Sequence, residues 1–195
     1  MAVKSLFSAV AIFLTLIAFV PYIRSILLGS TKPHVFSWVI WGITTGIVFF
    51  AQLEAGGGVG AWPIGVSGVF TLIIAMLAVL KRADIQITRS DYWFMVAALA
   101  SLPVWYLTAN PLWAVVVLTI VDLLGFGPTL RKAYDFPYEE NLLFFMLFMV
   151  RNLCAIFALE SYSVTTVMFP LSIALTCGIL VAVIYMRRKL LSKEF

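Results

Sequence analysis

Seven apolar blocks, each close to the length of a membrane-spanning helix, follow one another along this chain. They cover about residues 5–28, 34–53, 61–81, 91–107, 111–131, 141–159 and 164–187. A hydrocarbon core about 30 Å thick is crossed by roughly 20 helical residues at 1.5 Å each. The apolar residues run on without the i, i+3, i+4 spacing of a soluble helix with one buried face. Short polar segments punctuate them: Gly29 to Pro33, Gly56-Gly57-Gly58, Lys81 to Asp84 and Asp135 to Glu140. Asn110-Pro111 opens the fifth block, where proline suits a first helical turn. Transmembrane strands would instead alternate over about ten residues, and no such alternation occurs. The expectation is an all-α integral membrane protein of seven crossings.

Composition agrees. The 195 residues are 63% hydrophobic and 11% charged, against roughly 25% charged in a soluble domain. Cys154 and Cys177 both fall inside apolar blocks, so no disulfide framework is expected. The first block is longer than a signal-peptide core and is preceded by Lys4 alone, so it is read as the first helix.

Basic residues fix an expected orientation. Arg24, Lys32, Lys81, Arg82, Arg89, Arg131, Lys132, Arg187, Arg188, Lys189 and Lys193 fall on one side, and Lys4 on the other. By the positive-inside rule the amino terminus is outside and the carboxyl terminus cytoplasmic, in the cell (inner) membrane. Under this reading Gly57 lies outside and Asp84 in the cytoplasm. Trp62, Trp105, Tyr106, Trp113 and Tyr162 then sit near the outer boundary. Tyr92, Trp93, Tyr134, Tyr138 and Tyr185 sit near the inner one, the depth that amphipathic rings prefer.

A repeat emerges when the chain is slid against itself by 107 positions. Pro21 then meets Pro128, Arg24 meets Arg131, Pro63 meets Pro170, and Lys81-Arg82 meets Arg188-Lys189. The expected organisation is a three-helix unit at 1–82, a linker helix at 83–110, and a second unit at 111–195. An odd linker leaves the two units parallel, related by an axis along the membrane normal.

Pro21 stands in Phe19-Val20-Pro21-Tyr22-Ile23-Arg24, and Pro128 in Gly127-Pro128-Thr129-Leu130-Arg131-Lys132. With the three-one-three plan, these segments resemble the PQ-loop and SWEET superfamily of small-solute transporters. The family's glutamine after proline is replaced by Tyr22 in one half and Thr129 in the other. The resemblance implies the outside amino terminus and a carrier of small polar solutes.

Charge buried in hydrocarbon is costly and marks candidate function. Asp122 lies about 16 Å into the fifth block from its outer end, and Arg151 about 15 Å into the sixth from its inner end. Two readings stand side by side: a buried ion pair that fixes packing, or two groups lining a wet cavity. In the second, Arg151 binds an anionic or carbonyl group and Asp122 exchanges a proton. Trp41 and Thr45 on the second helix, with Asn152 on the sixth, are further candidates for substrate contact. They belong to matching stripes, Trp38, Trp41, Thr45, Val48, Gln52 and Phe145, Phe148, Asn152, Ala155, Leu159. Pro21 and Pro128 are candidate hinges, while Pro63 and Pro170 read as helix starts. His34 is the single histidine, so no metal site is expected.

The leading functional expectation is a transporter of a small polar solute (sugar, amino acid or other metabolite), by facilitated diffusion or proton coupling. The alternative is a seven-helix receptor or sensor, as in the KDEL-retrieval receptors. A retinal photoreceptor needs a lysine within the seventh helix, which has none before Lys189. No nucleophile–base pair points to an enzyme. The bilayer and a small solute are the expected partners, with no cofactor and no nucleic acid. A homo-oligomer is left open.

Overall fold

The computed structural model describes residues 2–29, 35–81, 89–138, 140 and 142–192. Lys32, His34, Arg82, Asp84 and Lys193 lie outside them. The described residues form seven α-helices and one 3-10 turn, with no strand. The helices are α1 (Ala2–Leu27), α2 (Val35–Glu54), α3 (Trp62–Leu80), α4 (Arg89–Thr108), α5 (Pro111–Asp135), α6 (Leu142–Ala158) and α7 (Val164–Leu191). The 3-10 turn covers Gly58–Gly60. Among the described residues three helical segments are long and apolar enough to cross a membrane: Ala2–Leu27, Gly58–Leu80 and Val164–Leu191. They mark the chain as a membrane protein.

Local chemistry sets several helix ends. Gly56 adopts φ +77° after α2, its N–H reaching Leu53 and that of Gly57 reaching Gln52. These two bonds form a Schellman closure, which favours glycine at the left-handed position. Asn110 Oδ1 accepts from the N–H of Leu112 at 2.9 Å and caps α5. Ser163 caps α7 reciprocally with Thr166, a capping box in which threonine replaces the usual Glu or Gln. Pro63 falls in the first turn of α3 as expected. Pro170 does not start a helix: the Ser163 cap begins α7 more than a turn earlier, so Pro170 lies inside it. Pro21 lies inside α1 and position 128 within α5.

Within the first three helices, α3 packs against both α1 and α2; among the last three, α7 packs against both α5 and α6. The two groups meet through α1 on α6 and α2 on α5, while α4 packs mainly on α5. Hydrogen bonds fix helix direction. Lys81 Nζ donates to the carbonyl of Leu27, Arg187 Nε to that of Tyr134, and Arg188 to those of Pro137 and Glu140. The carboxyl ends of α1, α3, α5 and α7 therefore share one end, here termed the basic end. At the opposite end Lys4 reaches the carbonyl of Glu160, Ser8 that of Val59, and the N–H of Glu160 that of Gly57. Gln52 Nε2 donates to the carbonyl of Thr166 at 2.7 Å, joining α2 to α7. Its Oε1 is buried with no hydrogen-bond partner among the described residues.

Large apolar side chains stay exposed near the middle of six helices: Phe13, Leu72, Leu99, Leu124, Val150 and Ile179. Such a girdle has no partner in water and matches the solvent properties of lipid tails. The expected boundary aromatics Trp62, Tyr106, Trp113, Tyr162, Tyr92, Trp93, Tyr134, Tyr138 and Tyr185 are exposed. Trp105 differs, being half-buried against the core.

Candidate functional site

A cavity of about 500 Å³ lies between the two helix groups. Asp122 and Arg151 both line it, together with Trp41 and Thr45. Tyr22, Thr129 and Glu140 also line it. They come from the carboxyl-terminal parts of α1 and α5 and from the α5–α6 connection, so the cavity extends to the basic end.

Arg151 is 3% exposed and is held by three donated hydrogen bonds. Nε donates to Thr15 Oγ1 at 3.1 Å, Nη1 to Asn152 Oδ1 at 3.0 Å, and Nη2 to the carbonyl of Pro63 at 2.7 Å. The guanidinium also lies 5.5 Å from the centre of the Phe148 ring, within cation–π range. Asp122 is 6% exposed, and Thr44 Oγ1 donates to its Oδ1 at 3.2 Å.

Among the described residues no ion pair joins Asp122 to Arg151, so the reading of a single buried pair is corrected. The reason lies in helix order: α5 and α6 follow each other in the chain, but each packs on α7. Their charged residues face the other helix group instead. The partners have a regularity of their own. Thr15 precedes Asp122 by 107 positions, and Thr44 precedes Arg151 by the same 107. Applying the shift therefore turns the Arg151–Thr15 contact into the Thr44–Asp122 contact.

Trp41 is half-buried and meets Trp38 edge-on, with ring centres 5.5 Å apart. Trp38 stacks obliquely on Tyr22 at 5.2 Å, and Phe19 meets both Trp38 and Phe148 edge-on. These rings form an aromatic wall. The stripes of α2 and α6 divide along their length. Trp38, Trp41, Thr45, Phe145 and Phe148 line the cavity, whereas Val48, Gln52, Ala155 and Leu159 are buried beyond it.

Asn152, expected to touch substrate, is fully buried and does not line the cavity. It accepts from Arg151 and donates to the carbonyl of Phe148 at 2.8 Å, so its contact is with the residue that does. Sequence reading did not assign roles to Thr15, Thr44, Ser67 or Thr71. The 107-position register makes the first two the counterparts of the charged residues. Ser67 and Thr71, one helical turn apart on α3, carried no such signal.

No protein-family model, curated protein or solved structure matches the chain.

Proposed function

We propose that the protein is a seven-crossing carrier of a small polar solute that works by alternating access. In this reading 1–82 and 111–195 are parallel three-helix units joined by the linker helix within 83–110. The fold resembles that of the PQ-loop and SWEET superfamily. The corresponding helices run in the same direction and pack in the same order, and the paired Thr15–Arg151 and Thr44–Asp122 bonds exchange under the same shift. The exposed apolar girdle on α1 and α3 to α7 supports seven crossings over three.

One observation carries the function. The cavity between the units holds two buried, oppositely charged side chains and extends to the basic end, while hydrogen bonds tie the units at the other. With the basic end cytoplasmic, this is an inward-facing carrier with its outer side closed. Pro21 and Pro128 are candidate bending points for the reverse state. Neither lets the helix close a regular backbone hydrogen bond at its own nitrogen.

Uptake into proteoliposomes of the purified chain tests the reading. Gly125 lines the cavity, and a Cβ there meets Trp41 Nε1 at 3.5 Å, an ordinary contact. Gly125→Leu should therefore fold with little loss of thermal stability and lower uptake at least tenfold by filling the cavity. Wild-type uptake in that variant would count against this cavity as the route. Solute binding without flux is the result expected of a receptor instead.

Orientation is tested separately. In a background lacking Cys154 and Cys177, Tyr162→Cys should react with a membrane-impermeant thiol reagent in intact cells. Ser192→Cys should react only after permeabilisation. Both positions are exposed, so the reverse pattern means an inverted topology.

A further inference from the structure

We infer that the solute bound between the two units is a zwitterion with an apolar body, small enough to fit the cavity of about 500 Å³. Its anionic group sits on Arg151 and its cationic group on Asp122. This deepens the carrier reading and rests on the same cavity.

A guanidinium has five N–H donors. Three of those on Arg151 are used, each on a neutral acceptor: a hydroxyl, an amide oxygen and a peptide carbonyl. These bonds fix the group in space, and among the described residues no carboxylate compensates its charge and one N–H on each terminal nitrogen is unused. Two such donors on a planar fork match a carboxylate better than a single hydroxyl.

Asp122 mirrors this arrangement. Its carboxylate receives one neutral hydroxyl from Thr44, although an ionised carboxylate offers about four acceptor sites. A full charge buried among apolar side chains is expensive unless an opposite charge accompanies it. Here both signs line one cavity, Asp122 where α5 meets α2 and Arg151 where α6 meets α1, with no ion pair joining them among the described residues. The remaining acid on the wall, Glu140, stands at the basic end, where Arg188 binds its carbonyl at 2.8 Å.

A neutral polyol would leave both charges uncompensated. A simple anion would satisfy Arg151 and be repelled by Asp122, and a simple cation would do the reverse. A molecule carrying both groups neutralises each one locally and adds no net charge to the site. The aromatic wall of Phe19, Tyr22, Trp38, Trp41 and Phe148 then takes its apolar part. The same rings favour an ammonium group close to their faces.

The test uses the full chain purified in detergent, with thermal unfolding and tryptophan fluorescence as readouts. Each neutral standard amino acid and glycine betaine is added singly, followed by the amide and N-acetyl derivatives of any amino acid that binds. Glucose is the uncharged control. At least one free amino acid should bind, and each derivative of it should bind about 30-fold or more weakly, since each leaves one buried charge unpaired. In Asp122→Asn the free and N-acetyl forms should bind within about threefold of each other. In Arg151→Gln, which removes the positive charge, the amide should likewise lose most of its handicap. If a variant does not fold, the series on the unaltered protein still decides. The proposal is overturned by equal binding of a parent and either derivative, by a response to glucose alone, or by no response to any zwitterion. Uptake of glucose with no zwitterion binding would remove this inference and leave the carrier. Zwitterion binding without flux would remove the carrier and leave this inference.

Discussion

Arg151→Gln should abolish uptake and lower the melting temperature in detergent, and adding Asp122→Asn should not restore either. The guanidinium satisfies Asn152 Oδ1 and the carbonyl of Pro63, both buried within the helix bundle. Glutamine is too short and carries too few donors to reach both. A buried acceptor left unpaired costs about 1–3 kcal/mol, so a loss of about 3 kcal/mol is expected for the pair. Asp122→Asn is a milder change to the fold. An asparagine oxygen still accepts from Thr44, and no ionic partner is abandoned. Its effect on stability should stay near zero, while uptake falls about 100-fold through loss of the charge that faces the solute. The double variant should then show the sum of the single effects on stability, to within about 0.5 kcal/mol, as for sites without a shared partner. A double variant more stable than Arg151→Gln alone would restore the ion-pair reading.

Gly60→Val should produce the second large effect. A Cβ on Gly60 would stand 2.5 Å from the backbone nitrogen of Leu159, 2.6 Å from its Cα and 2.7 Å from the carbonyl carbon of Ala158. These are backbone atoms at the end of α6 and cannot turn aside as a side chain can. The closed seam between the 3-10 turn and α6 then fails to form. Overpacking typically costs about 1–3 kcal/mol, and a valine against backbone should reach the upper part of that range. Under alternating access the variant rests in the opposite state. Uptake should fall below about one-tenth of the parent level. Ser67→Cys, on the cavity wall, should become reactive to an impermeant thiol reagent added outside, which it is not in the parent. Parental stability together with parental uptake would falsify the role of this seam.

Much of this was legible in the sequence, and the residues show why. The spacing of apolar blocks located all seven helices because length and punctuation are local properties. Counting along each block places Asp122 and Arg151 far from the block ends, and both line one cavity. Of the two readings of their relation, the ion pair requires consecutive helices to be neighbours, whereas α7 packs against both α5 and α6. Asn152 shows a finer limit. Its face of α6 was identified, but whether an amide on that face meets solute or the adjacent Arg151 depends on side-chain direction, which periodicity does not encode. Proline's preference for first turns makes Pro170 look like a helix start in the sequence; the reciprocal Ser163–Thr166 cap overrides that preference.

Under the proposed alternating access, Gln52 bears on the rhythm of the cycle. Its Oε1 has no donor among the described residues; in that cycle a buried acceptor left so costs about 1–3 kcal/mol, which hydration would relieve once the units part. That is a bias of roughly fivefold to 150-fold toward parting. A leucine at this position would remove the grievance and keep the seam shut for longer. Under the proposed carrier function the amide would act as a timer, setting how briefly the seam stays sealed before the next turnover begins.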